Sequence, residues 1–124
     1  MFPHESRVLE WRWDLRTLEV REHGWRTHHW VSSGWDEPGA QRTRGRAFRL
    51  ALGLKGTGTP EWLRRLHRSH RPGRGPFSTC MHREDARTVS YTEIRVAGRD
   101  IGMRYLEGPP CLHTPRGYGR EMRL

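Results

Sequence analysis

The sequence predicts an α+β fold, an antiparallel β-sheet with two helices packed on one face. Three observations carry this. Period-two alternation marks the first third of the chain. Two amphipathic stretches with helix-capping residues occupy the middle. A Thr-, Val- and Tyr-rich run with a Gly-containing turn follows them. Strand runs separated by a helix pair point to an α+β layer and away from a doubly wound sheet.

In chain order, residues 7–14 alternate. Leu9, Trp11 and Trp13 fall on one face, with Glu10, Arg12 and Asp14 on the other. The polar turn 14–17 leads into a second short strand at 18–21, so a hairpin is expected. After Gly24, residues 25–31 read as a third strand, with His28 and His29 on opposite faces and unable to share a metal. The loop 32–39 leads into a helix. There Ala47, Leu50, Ala51 and Leu54 recur at i, i+3, i+4 and i+7, and Arg42, Arg44, Arg46 and Arg49 lie mainly off that stripe. Gly53, Gly56 and Gly58 end it.

Thr59-Pro60-Glu61 begins a second helix, with Thr59 as N-cap, Pro60 at the first helical position and an acid in the first turn. Trp62, Leu63 and Leu66 supply its buried face. The Pro- and Gly-rich stretch 71–76 stops it. Residues 77–82, 87–96 and 101–106 read as three further strands. The last two are expected to form a hairpin about Gly98, with 77–82 beside it in the sheet. The expected order is β-β-β-α-α-β-β-β in a single domain over 1–111, followed by a basic, flexible tail at 112–124.

A chain of 124 residues has room for one ordinary domain. Apolar residues make up 33%, and six Trp supply bulk for a modest core. No apolar run reaches the ~18 residues of a membrane span. Two cysteines are too few for a disulfide scaffold. With no signal-peptide pattern at the start, a reducing cytoplasm and free thiols are expected. The net charge is +9, and nearly all cations are Arg. The charge is unevenly placed: residues 38–79 carry nine Arg and Lys55 against Glu61 alone, whereas residues 1–37 carry five Arg against seven acids.

The stretches Ser78-Thr79-Cys80-Met81-His82, Ala86-Arg87-Thr88-Val89-Ser90-Tyr91-Thr92-Glu93-Ile94 and Met103-Arg104-Tyr105-Leu106-Glu107-Gly108-Pro109-Pro110-Cys111 resemble the C-terminal half of the NRDE, or transport-and-Golgi-organisation, family. The loop Ser32-Ser33-Gly34-Trp35-Asp36-Glu37-Pro38 ahead of a basic helix is similar to a segment of the same family. The resemblance spans about residues 25–111. It implies part of an αββα sandwich related to N-terminal-nucleophile hydrolases. The Asn-Arg-Asp-Glu motif is absent, and the bulk of Phe2 keeps the initiator Met1 in place, so no free N-terminal Cys, Ser or Thr nucleophile is expected. The chain thus reads as a shortened relative, a fragment or a mis-started frame.

Two Cys-x-His pairs, Cys80/His82 and Cys111/His113, offer a Cys₂His₂ set for tetrahedral zinc, although one intervening residue differs from finger spacing. The plainer alternative is a buried strand cysteine and a tail histidine. Cys80 and His82 are also the candidates for a nucleophile and its base, without an accompanying acid or oxyanion motif. His67 and His70, at i and i+3, can chelate or simply form the rim of an amphipathic helix. Arg42, Arg46, Arg49, Arg64, Arg65 and Arg68 are the candidates for phosphate contacts. No helix-turn-helix, finger or RNA-recognition signature accompanies them, and a solvated basic face is the favoured account over specific binding.

The expected function is that of an NRDE-like domain without its nucleophile, handling a ligand or a protein partner and leaning away from catalysis. One alternative is nucleic-acid binding through the Arg-rich helices of 42–74. A second is a Cys-dependent hydrolase or a Cys/His zinc protein. The Trp11/Trp13 face predicts self-association or a covering partner. The sequence leaves the cofactor unknown.

Overall fold

Alternation of apolar and charged residues makes Arg7–Trp13 (β1) and Leu18–Gly24 (β2) strands, and they pair antiparallel with Trp11 opposite Val20 and Trp13 opposite Leu18. The Asp14 carboxylate shapes the turn between them. It accepts from the backbone N–H groups of Arg16 at 2.9 Å and Thr17 at 2.7 Å. This is how a short acidic side chain substitutes for backbone pairing in a turn. The computed structural model describes residues 7–113 and 120–123.

Two helices follow. α1 spans Glu37–Leu52 and α2 spans Pro60–Arg68. Asp36 caps α1, accepting from the Gly39 N–H at 3.0 Å. A Cβ at residue 39 would run into the Asp36 carboxylate and the Phe77 ring, so this cap requires glycine. Thr59 caps α2 as the sequence predicts, its hydroxyl accepting from Trp62 N–H at 3.2 Å. The indole N–H of Trp62 donates to the Ala51 carbonyl at 2.8 Å and ties α2 to the late turns of α1.

The hairpin expected about Gly98 forms from Ser90–Ala97 (β3) and Asp100–Glu107 (β4), with Gly98 at φ +63° in the turn. β5 (Arg120–Arg123) pairs antiparallel with β4. It lies in the stretch read from the sequence as a loose tail, of which residues 114–119 fall outside the described residues. A short 3₁₀ turn, Pro110–Leu112, follows β4 and lies against α2.

Two expectations are corrected. Residues 25–31 form no strand. Their side chains are held by rings instead: His28 stacks on Trp30 with centroids 5.0 Å apart, and His29 stacks on Phe48 of α1 at 4.6 Å. The two histidines do face different neighbours, as the alternation implied. Residues 77–82 also form no strand. Their backbone donors go to loop carbonyls, Cys80 N–H to Ser69 and His82 N–H to Gly75, each at 3.1 Å. An isolated bridge between His82 and Arg87, with Met81 and Thr88 hydrogen-bonded beside it, pairs this segment with the chain ahead of β3.

In consequence there is no single sheet with two helices on one face, and no αββα layer among the described residues. The α+β class holds, but β1-β2 and β3-β4-β5 are separate antiparallel sheets. α2 joins α1 to the C-terminal hairpin. Trp62 and Leu66 bury its inner side, His67 packs against Tyr91 of β3 at 5.2 Å, and Arg64 pairs with Glu93 of β3. No described helix is long and apolar enough to cross a membrane.

Candidate metal centre

Three segments converge beyond the end of α2. The first is the exit of α2, where Ser69 leaves the helix in extended conformation and His70 follows. The second is the irregular loop through Cys80 and His82. Its placement depends on the Cys80 N–H to Ser69 carbonyl bond, which sets Cys80 beside His70. The third is the 3₁₀ turn carrying Cys111, whose neighbour Pro110 is fully buried. Ser78, also fully buried, braces the loop by donating to the Cys80 carbonyl at 2.6 Å. Arg44 of α1 donates to the carbonyls of Ser78 and Pro76 from the other side.

The result is a cluster of His70, Cys80, His82 and Cys111 whose four ligand atoms all lie within 4.8 Å of one another. The His82 Nε2 is 3.6 Å from the Cys80 sulfur and 3.4 Å from the Cys111 sulfur. His70 and His82 meet edge to face, with centroids 5.1 Å apart. A tetrahedral zinc ion, bonded to sulfur at about 2.3 Å and nitrogen at about 2.05 Å, holds an S and an N ligand about 3.6 Å apart. The two His82-to-sulfur spacings match that value, and the remaining ligand atoms lie within 4.8 Å.

The electrostatics agree with that geometry. His70 Nε2 is buried and has no hydrogen-bond partner among the described residues. An orphaned buried nitrogen costs about 1–3 kcal/mol unless something meets it. His82 has its pKa lowered, first by desolvation and then by Arg74, His70 and Arg87, which favours the neutral, ligating imidazole. Cys80 is wholly buried, and desolvation with Cys111 beside it pushes its thiol up to about 11. A thiol raised in this way is protonated near neutral pH in the absence of a metal. Arg74 donates to His82 Nδ1 at 3.3 Å, so in the metal-free tautomer Nε2 carries the proton and faces both sulfurs. A metal ion held by His82 would bind through Nε2, with the ring proton then on Nδ1.

The structure thus brings together three of the four candidate ligands named from the sequence: Cys80, His82 and Cys111. It replaces the fourth. His113 Nε2 turns back to donate to the Glu107 carbonyl at 2.8 Å, and His70 takes the open place. The sequence signal for His70 is a helix-terminal His ten residues ahead of a Cys-x-His pair. The i, i+3 spacing to His67 drew attention to the wrong partner, since His67 is engaged with Tyr91.

The arginine candidates scatter. Arg64 forms a two-pronged ion pair with Glu93, at 2.7 and 2.6 Å. Arg65 donates to the Lys55 carbonyl at 3.3 Å. Arg42 and Arg46 line a groove between the helices, and Arg49 and Arg68 lie outside its lining. No family model, curated protein or solved structure matches the chain.

Proposed function

We propose that the protein is a zinc-binding protein whose Cys₂His₂ centre joins the end of α2, the loop 71–89 and the 3₁₀ turn, and that it works by binding a ligand or partner. The observation that carries this is the four-ligand cluster, its ligand atoms within 4.8 Å of one another, with an unpartnered buried His70 nitrogen. Zinc suits the donor set, because two thiolates and two imidazoles in tetrahedral array favour it over the hard cations. Four protein ligands close the shell and leave no position for a substrate or an activated water, which supports a structural role over a hydrolytic one. The small core supports the same view, since only Ala40, Trp62, Leu66, Cys80, Tyr91 and Leu106 are buried hydrophobics among the described residues. Small domains commonly depend on such a staple.

The test is metal content and cobalt substitution. Purified protein is expected to carry one zinc per chain. The cobalt form is expected to show the intense visible absorption of a tetrahedral thiolate site. Cys80→Ser and His70→Ala are each expected to lose the metal. A metal-free wild type that takes up neither zinc nor cobalt would refute the reading.

A second observation favours self-association as the mode of interaction. On the β1-β2 hairpin, Trp11 is 63% and Trp13 58% exposed, and Leu18 and Val20 share their face. A contiguous apolar face of this kind is characteristic of an interaction surface.

A further inference from the structure

A groove of about 950 Å³ runs between α1 and α2, and no side chain that lines it belongs to the metal cluster. That volume falls in the range of small-molecule sites. Its lining contains no acidic residue and four arginines.

The charge is placed asymmetrically along the groove. Trp62, at the start of α2, bonds to Ala51 late in α1. Ser69, just past the end of α2, bonds to Cys80, two residues from the Ser78 carbonyl that Arg44 holds. So α2 runs back along α1 from its last turn toward its middle. Arg42 and Arg46, in the second and third turns of α1, and Arg71 from beyond α2 therefore lie toward one end. Arg65 stands at the other, where it donates to the Lys55 carbonyl. Among the described residues, Arg42, Arg46 and Arg71 have no ion-pair partner.

The apolar wall continues from the cationic end. Ala47, Leu50, Ala51 and Leu54 form it on the α1 side, with Trp62 and Leu66 as the α2 side. Leu50, on α1, and Leu54, in the turn just past it, are 61% and 57% exposed although both line the groove. Leucines that line a groove yet remain in water gain by being covered. A cluster of guanidiniums at one end attracts a carboxylate in charge-assisted, two-pronged hydrogen bonds.

We propose that this groove binds a single-chain anionic amphiphile, a long-chain fatty acid, with its carboxylate at Arg42, Arg46 and Arg71 and its acyl chain along Leu50, Leu54 and Trp62. Along α1 the lining passes from Arg42 and Arg46 to Leu50 and then Leu54, and this order of charge followed by apolar surface favours a single-chain amphiphile over an acidic amphipathic helix. The inference stands apart from the metal reading.

The test is isothermal titration of palmitate, below its micellar range, into the protein as purified. Saturable binding at one palmitate per chain is expected. Hexadecanol, equal in tail and lacking the charge, is expected to bind about tenfold more weakly or worse. The double variant Arg42→Glu/Arg46→Glu should weaken palmitate by a similar factor, about tenfold. Leu50→Glu should abolish binding. All these side chains are exposed, so the variants are expected to keep their zinc content and far-ultraviolet circular dichroism. If Leu50→Glu does not fold, the arginine pair and the palmitate-to-hexadecanol ratio decide. Absence of saturable palmitate binding to the wild type overturns the proposal. So does equal affinity for hexadecanol, or binding indifferent to the variants. Capture of an acidic amphipathic peptide by a protein that ignores palmitate assigns the groove to a protein partner and overturns it as well. Zinc content, read separately, tells this failure from failure of the metal reading.

Discussion

Arg64 of α2 and Glu93 of β3 form a two-pronged ion pair that is the direct electrostatic link between the helical layer and the C-terminal hairpin. Glu93 is 6% exposed, and Tyr91 donates to the same carboxylate at 3.0 Å. The acid is thus supplied with three donors from two elements, which satisfies a buried charge.

Removing one partner leaves the other charge buried and uncompensated, a loss of about 3–5 kcal/mol. Glu93→Gln and Arg64→Met are each expected to destabilise on that scale in urea unfolding. The double variant is expected to cost less than the sum of the two, as residues in one network do. A charge reversal at Arg64 would consequently report on folding, and a test of phosphate binding needs Arg42 and Arg46 instead.

The same pair sets a pH dependence. Hydrogen bonds from Arg64, ahead of those from Tyr91, hold the Glu93 carboxyl below its ordinary value despite burial. A carboxyl depressed in the folded state contributes stability that is complete above its unfolded pKa and is lost as pH falls through the folded value. Wild-type stability is therefore expected to fall below about pH 4.5, the ordinary value for a glutamate carboxyl, more steeply than that of Glu93→Gln. Urea midpoints at a series of acidic pH values check it. Parallel curves for the two proteins would count against the pair as a stabilising element.

Zinc is expected to raise the melting temperature and chelation to lower it. Free zinc at about 1,000 times its Kd adds about 4 kcal/mol to folding stability. His70→Ala, Cys80→Ser, His82→Ala and Cys111→Ser are expected to abolish this response. His113→Ala is expected to preserve it, because that imidazole is committed to the Glu107 carbonyl. Thermal scans with and without zinc separate the two groups of variants.

Metal uptake is also expected to release protons. The Cys80 thiol, pushed up to about 11 by burial, is protonated before zinc arrives and a thiolate afterwards. His82, with its pKa lowered, contributes no proton near neutrality beyond the shift from Nε2 to Nδ1. Affinity should therefore rise with pH, by about tenfold per unit for each thiol proton displaced. Titration in buffers of different ionisation enthalpy measures that number directly.

The exposed hairpin face predicts concentration-dependent association. Each Trp offers about 150–250 Å² of surface, so covering Trp11 and Trp13 is worth several kcal/mol at about 25 cal/mol per Å². Light scattering of the wild type is expected to show species larger than a monomer, and Trp11→Glu is expected to suppress them. A monomeric wild type at high concentration would remove this surface as an interface.

Local chemistry made the helices and hairpins legible from the chain alone. Thr59-Pro60-Glu61 starts α2 because its capping contacts lie within one turn. Alternation in 7–13 and a glycine at 98 fix two hairpins because strand pairing across a short turn is also local. The α+β class and the Cys80/His82 pair follow from the same short-range logic. Long-range assembly was different. Residues 25–31 and 77–82 have strand-like composition, yet no neighbouring strand edge meets them, and ring stacking or loop carbonyls take their place. The choice of His70 over His113 as fourth ligand belongs to that level too. Spacing along the chain pairs Cys111 with His113, but ligation requires four atoms at one point in space. The bond from Cys80 to Ser69 brings His70 to that point, while the Glu107 carbonyl holds His113 away from it.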